Sequence, residues 1–283
     1  HSLFFLDDGG IDDSFGTRNY KWTYWGSRTS DGCALGYLQA ADWEPEFGVI
    51  ALKNLRLLEK CTYEGFLFPG FAACERKEPA CVHHMFSHAK VLAGILDRCL
   101  EHNLQEGTAP RMKKEGAVQV PELDSYFITK SSYTATVTGY DWEYLGLPGG
   151  HASGGTLSLL WDQKAGLLLC AGMCQYSLRE ANNMQLPRFA GHQCITPRLE
   201  YNSGETVYSS MYDYKSVLTC ENSEEEIVIR VQGNLTDIHR NCLFDKDGEY
   251  LIEYYFGEKG IRICINAGLK ATFIFPVVIR QEE

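Results

Sequence analysis

Apolar residues change their spacing partway along this chain. Between about residue 33 and residue 103 they recur at helical intervals: Phe47, Ile50, Ala51, Leu55 and Leu58 keep the 3-4 spacing of one helix face, and Met85, Ala89, Leu92, Leu96 and Cys99 keep it again. Gly65, Pro69 and Gly70 punctuate the interval between them. From about residue 125 the pattern becomes a series of short β-rich runs separated by turns: YFITKSSYTATVTGY, TLSLLW, GLLLCAG, EIVIRVQG, GEYLIEYYF, GIRICIN and ATFIFPVVIR. DKDGEY, at 245–250, places Asp-Gly between two of these runs as a hairpin signal. Short strands with tight turns and no interleaved helices predict a large antiparallel sandwich rather than a parallel α/β sheet. Residues 104–122 carry Gly, Pro and charge without a period, which marks a boundary between a helical domain, 1–122, and a sandwich, 123–283.

Only about three or four helices fit ahead of that boundary, and their apolar faces want further helical partners. Either they pack on the sandwich or the chain lacks an N-terminal portion; the second is the expectation, since the chain begins without an initiator Met. The formal net charge of -11, from 26 basic against 37 acidic residues, argues against a nucleic-acid surface, although a local basic pocket is compatible with it. No apolar run is long enough to span a bilayer, and HSLFFLDDGG lacks the features of an export signal. The 11 cysteines are scattered and often lie in apolar runs, which reads as buried thiols rather than a disulfide framework and fits a reducing compartment.

One stretch belongs to neither period. FGTRNYKWTYWGSRTSDG, 15–32, sets Arg18, Lys21 and Arg28 among Tyr20, Trp22, Tyr24 and Trp25. By composition alone this is a helix entry whose rings pack and whose charges are solvated. The alternative is a site for an anionic, ring-shaped ligand.

The segment PGGHASGGTLSLLWDQKAGLLLCAG, 148–172, followed by PRFAGHQCITPRLEYNSG, 187–204, resembles the β-domain of the heparinase II/III-like polysaccharide lyases. In that family a glycine-rich HxHADxLS segment opens a strand, a second strand ends in a DPG-like turn and an AHNT-like motif follows; the corresponding pieces here are HASGGTLS, CAG and AGHQC. The resemblance implies an α+β protein, with partial α/α toroid helices followed by a large antiparallel β-sandwich, of which this chain is the C-terminal portion. It also implies a periplasmic or secreted location, against the cysteine usage, and a structural zinc ion held by His151, Cys170 and His192, a donor set of a type zinc accepts. Gly149 stands where the family has its first His, and Ser153 where it has Asp. Outside the resemblance, His151 and His192 read as hydrogen-bonded histidines and Cys170 as a small buried residue.

DDGGIDDSFGTRNYKW resembles the family segment that carries a catalytic Tyr at the toroid edge, which puts Tyr20 in that role with Tyr24 as the fallback. The chemistry sets its own requirements. Eliminative cleavage of a uronic-acid glycan removes the proton at C5, next to the carboxylate, and expels the oxygen at C4. Charge builds on the carboxylate, so donors must meet it, and Arg18, Asn19 and Lys21 supply them. Adjacent cations also favour the phenolate of a Tyr whose unperturbed pKa is about 10. A single Tyr can then take the C5 proton and return it to O4. Trp22, Tyr24 and Trp25 would bind sugar rings, and Arg28 a second carboxylate.

In CVHHMFSHAK, 81–90, His84 and His88 share a helix face. No HExxH arrangement is present, so His84 is a substrate-orienting candidate and packing is the simpler role. LDDGGIDD lacks calcium-loop spacing and reads as a turn, and NLT, 234–236, is a glycosylation sequon. The leading expectation is a polysaccharide lyase acting on an acidic polysaccharide. A non-catalytic carbohydrate-binding or structural relative is the alternative. A glycoside hydrolase would need a carboxylate pair, for which Asp12, Asp13 and Asp31 are available.

Overall fold

The computed structural model describes residues 2–12, 14, 33–60, 62–67, 82–139, 153–171, 196–243 and 248–276. The chain divides into two compact units, residues 1–13 with 22–114 and residues 14–21 with 115–283. The first unit contains three α-helices among the described residues, α1 (Cys33–Ala40), α2 (Glu46–Lys60) and α3 (Val82–Asp97), and a two-stranded hairpin of β1 (Thr62–Tyr63) and β2 (Phe66–Leu67). Glu46 in the first turn of α2 and Lys60 in its last both oppose the helix dipole. Helix α2 buries Ile50, Ala51 and Leu58 as its periodicity predicts, together with Val49, Leu57 and Asn54. Helix α3 turns a different face inward. Val91 and Ile95 join Ala34, Leu38, Ala51 and Leu100 in a small core and His88 is fully buried, whereas Ala89, Leu92, Leu96 and Cys99 of the predicted face are exposed. Glu64 and Gly65, both at positive φ (50° and 80°), close the β1–β2 hairpin inside a region that reads as helical.

The acidic LDDGGIDD segment is a structural clasp on α2. Asp7 accepts from the Ala109 amide at 2.7 Å and pairs with Lys53 at 3.0 Å, while Asp8 accepts from the Gly10 amide at 3.0 Å. Gly9, at φ +92°, comes so close to the Lys53 carbonyl that a Cβ has no room, and its own carbonyl accepts from Asn54 Nδ2 at 3.0 Å, which accounts for a buried Asn on α2. Asp12 is fully buried and accepts from Arg111 Nη1 at 2.6 Å, with the two side chains 0% and 1% exposed.

These features overturn the α+β expectation of partial α/α toroid helices leading into a sandwich. The described residues are mostly antiparallel sheet, with three short helices and no toroid among them. The physical reason is that 3-4 spacing reports one buried face per helix and not how many partners it meets. Here a core of six buried residues, clasped by the loop at 6–12, closes the helices on one another. The toroid came from the resemblance, and the periodicity carried no information about it.

Among the described residues the second unit holds three antiparallel sheets. The first is a meander of β3 (Gly116–Val120), β4 (Ser125–Lys130), β5 (Tyr133–Thr138), β6 (Thr156–Asp162) and β7 (Gly166–Cys170). A three-stranded sheet joins β8 (Arg198–Ser203) and β9 (Thr206–Ser209) to β14 (Thr272–Ile274), and a second meander runs through β10 (Val217–Asn222), β11 (Glu226–Asn234), β12 (Glu249–Gly257) and β13 (Gly260–Ala267). Every second residue of β11 (Ile227, Ile229, Val231) and of β12 (Tyr250, Ile252, Tyr254, Phe256) enters one core with Tyr126, Ile128, Tyr133, Ala135 and Val137 from β4 and β5. The tight turn of the second meander is Glu258–Lys259, between the paired Gly257 and Gly260. The Asp-Gly at 247–248 lies in sequence between the antiparallel partners β11 and β12, with residues 244–247 outside the described residues. Among the described cysteines, Cys99 and Cys242 carry free thiols at the surface and not in the core. No helix among the described residues is long and apolar enough to cross a membrane.

One charge in this unit is deeply placed. Lys130, whose side chain is 4% exposed, donates to Glu115 at 2.9 Å and to the Glu224 carbonyl at 2.6 Å. The Lys130 hydrogen bond, and a second from the Ser131 amide, hold the Glu115 carboxyl below its ordinary 4.5. A carboxyl depressed in the folded state adds stability above its ordinary value, and that stability is lost as pH falls through the folded value. Denaturant unfolding from about pH 6 to about pH 3 should therefore show a steeper loss below 4.5 in the wild type than in Glu115→Gln. The difference is modest because Glu115 remains half in solvent; identical limbs would dismiss the pairing.

Candidate functional site

The second face of the five-stranded sheet is lined by buried hydroxyls. Thr134, Thr136, Thr138, Ser125 and Ser158 are all fully buried. The Ser125 hydroxyl donates to Thr138 Oγ1 at 3.3 Å, and Thr138 and Ser158 hydroxyls lie 2.8 Å apart. Ser158 owes its direction to a β-bulge: Val137 faces Leu157 and Thr136 faces Leu159, leaving Ser158 as the extra residue. Onto this point comes Ser14, whose Oγ donates to Ser158 Oγ at 3.0 Å across 144 positions of sequence. Ser14 immediately precedes the segment 15–32, and Ser158 ends HASGGTLS. The hydrogen bond thus ties the residue just ahead of 15–32 to the last residue of HASGGTLS, while 15–32 itself lies outside the described residues.

The glycine-rich motif itself is explained by close packing. Gly154, at φ +67°, leaves no space for a Cβ beside the Ser210 carbonyl, and its own carbonyl accepts from the Tyr250 hydroxyl at 3.1 Å. Ser153 places its hydroxyl 3.2 Å from the Gly139 carbonyl and 3.0 Å from that of Asp213. In this chain that position ties loops together.

Most of the predicted site residues fall outside the described residues: Arg18, Asn19, Tyr20, Lys21, Trp22, Tyr24, Trp25 and Arg28, and also His151 and His192. His84 lies in the first turn of α3, its side chain outside the described set. Cys170 is described. It ends β7, pairs with Leu159 and so shares the face of Thr136, and it is 7% exposed with Sγ 3.7 Å from the Ala171 carbonyl. Two imidazoles and a thiol suit zinc by donor type, and a closed structural site would need a fourth donor beside them. Among the described residues no group of three His, Cys, Asp or Glu is arranged to hold a metal ion. Of the carboxylates available to a hydrolase, Asp12 is fully buried against Arg111 and presents nothing to a cleft, and Asp13 and Asp31 lie outside the described residues.

A second cluster in this unit was not read from the sequence. A cleft of ≈ 530 Å³ is lined by Tyr214, Lys215, Gln232, Thr236, Arg240 and Glu249, among others. The Arg240 guanidinium carbon stands 4.5 Å, and Lys215 Nζ 5.2 Å, from the centre of the Tyr214 ring. The floor is Asp213, whose carboxylate accepts from the amides of Lys215 (2.9 Å) and Asn234 (2.8 Å) and from the Tyr250 hydroxyl (3.1 Å). Burial pushes the Asp213 carboxyl above its ordinary range, and those donors oppose the shift. Burial and the Asp213 charge push the Tyr250 phenol well up, so it stays a proton donor. The only sequence signal was YDYK, 212–215, with Arg240 twenty-five positions beyond Lys215.

Comparison with known proteins covers the whole chain. Residues 1–114 match the family model described as the ulvan lyase N-terminal domain, and residues 118–283 match the ulvan lyase C-terminal domain. The chain is 34% identical over 291 residues to a broad-specificity ulvan lyase of Formosa agariphila, an alignment that covers 100% of this chain and 45% of that relative. The chain thus spans a little under half the length of the relative. No solved structure matches it.

Proposed function

The chain belongs to the ulvan lyase family of polysaccharide lyases, and from that premise we propose that it cleaves ulvan, a uronic-acid-containing acidic polysaccharide, by β-elimination. The observation that carries this reading is the pair of family matches, one on each side of residues 115–117. In the mechanism proposed here, the Tyr20 phenolate takes the C5 proton of the uronate. The electrons of that C–H bond form the C4=C5 double bond, and the C4–O4 bond breaks with its pair on O4. Tyr20, now protonated, returns the proton to the leaving oxygen. Arg18, Asn19 and Lys21 meet the carboxylate as its charge grows, Trp22, Tyr24 and Trp25 hold the rings, and Arg28 and His84 orient the chain. The test is incubation of the protein with ulvan while following ultraviolet absorbance of the unsaturated product. Absorbance should rise with time; cleavage without it would overturn elimination.

The finer kinship, with the heparinase II/III-like lyases, rests on HASGGTLS and AGHQC and is carried as part of the same proposal. With it goes a structural zinc held by His151, Cys170 and His192, which would clamp strand ends and take no part in the chemistry. Elemental analysis should find zinc in the purified chain, and its removal should lower the melting temperature. A chain that contains none overturns the metal. A non-catalytic carbohydrate-binding relative is the second reading, favoured by the departures at Gly149 and Ser153, the latter engaged with the loop carbonyls of Gly139 and Asp213. It predicts binding without cleavage in the same assay.

A further inference from the structure

We propose that the cleft around Tyr214, Lys215 and Arg240 is a second carbohydrate subsite, which takes an anionic sugar residue of the polysaccharide, carboxylated or sulfated, and holds it without cleaving it. The proposal rests on the polysaccharide substrate of the reading above. The cleft, at ≈ 530 Å³, is of a size that takes small ligands. An anionic sugar needs charge-assisted donors for its acid group and an apolar surface for its ring. Arg240 and Lys215 supply the first. Tyr214 supplies the second, since the residue is 36% exposed with both cations beside its ring.

The cations are arranged in advance. Arg240 sits in a turn closed by Asp237, which accepts from the amides of His239 and Asn241 at 2.8 Å each. The Arg240 amide donates to the Asp237 carbonyl at 2.9 Å, and its backbone takes a φ of 67°. Cation–π contacts then restrain both side chains, so less side-chain entropy is lost when a ligand arrives. Negative charge on the floor is no obstacle, because three donors already occupy the Asp213 carboxylate. Glu249, on the same lining, can accept from sugar hydroxyls.

A separate observation asks for a ligand. Thr236 is 2% exposed and lines the cleft, and its Oγ1 has no hydrogen-bond partner among the described residues. A solvated patch of surface charge accounts for the cations, but not for a buried hydroxyl left unpaired in the wall, which costs free energy until something meets it. A sugar hydroxyl would do so. None of these residues is among those proposed for the elimination, so binding here should separate from turnover.

The experiment is electrophoresis of the full chain through gels containing ulvan, run beside kinetics on the same polymer. The double variant Lys215→Gln/Arg240→Gln is compared with the wild type, and Tyr214→Ala gives a second variant that leaves the turn alone; circular dichroism confirms their folds. The wild type should be retarded, less so as salt is added. The double variant should bind at least about tenfold more weakly, with KM on polymer raised and kcat unchanged. Desulfated and carboxyl-reduced ulvan show which anion is held. A wild type that is not retarded, or folded variants retarded equally, would overturn the subsite. If unsaturated product forms while the variants are retarded normally, the subsite falls and the lyase reading stands. If no unsaturated product forms but retardation is lost in the variants, the reverse holds.

Discussion

Tyr20→Phe is expected to lower kcat on ulvan by roughly 10²–10⁴-fold while leaving the fold and KM nearly unchanged. The substitution removes one oxygen, the atom proposed to take the C5 proton and to return it at O4, so both transfers are lost together. The cations and tryptophans that would bind the substrate remain. The hydrogen bond from Ser14 to Ser158 is also untouched by the substitution. Tyr24→Phe is the control and should retain its rate. If instead Tyr24→Phe carries the loss and Tyr20→Phe does not, the role passes to Tyr24. Arg18→Ala should lower kcat by roughly 10²–10³-fold by weakening the hold on the carboxylate. It should also shift the rising limb of the rate to higher pH, because a phenol without a neighbouring cation ionises later.

Arg111→Met is expected to destabilise the chain by roughly 3–5 kcal/mol, as breaking one side of a buried ion pair does. Its partner, the Asp12 carboxylate, is fully buried at 2.6 Å and would be left as a buried charge. Asp12→Leu in the same chain should recover much of that loss, since two apolar residues of similar volume replace a buried pair at little cost. Urea unfolding of the two variants and the wild type measures both terms. Asp12→Asn has a further use: below its own melting temperature it should cleave ulvan at the wild-type rate, whereas a hydrolase relying on Asp12 would be silenced. A single Arg111→Met that unfolds like the wild type would contradict the structure of this clasp.

Strand periodicity was legible because each inner-facing strand alternates against one continuous core. Ile227, Ile229 and Val231, and Tyr250, Ile252, Tyr254 and Phe256, declare their faces without reference to any partner. Helix α3 shows the limit of that logic. It carries apolar residues on two faces, and spacing selected Leu92 and Leu96 where packing selected Val91 and Ile95. The residues that close the structure were beyond reach for a different reason. Arg111 lies in an aperiodic stretch and finds Asp12 across 99 positions, and Ser14 finds Ser158 across 144. Such pairs leave no local trace.

The candidate site divides in the same way. Residues 15–32 stood out because their composition fits neither period, and the motif at 151–158 because of its glycines, yet only the structure brings Ser14 and Ser158 together. The glycines of that motif serve packing, since Gly154 has no room for a side chain beside Ser210. The Tyr214, Lys215 and Arg240 cleft was silent in sequence because it joins the start of one strand to a turn between two others. Neither segment is unusual alone.

Weighing the fragments of a defined ulvan oligosaccharide after digestion by this chain tests the central claim most directly. Elimination adds no water, so the two product masses must sum to that of the parent, with one product carrying the C4=C5 double bond. Products whose masses sum to the parent plus one water would show hydrolysis and contradict the account.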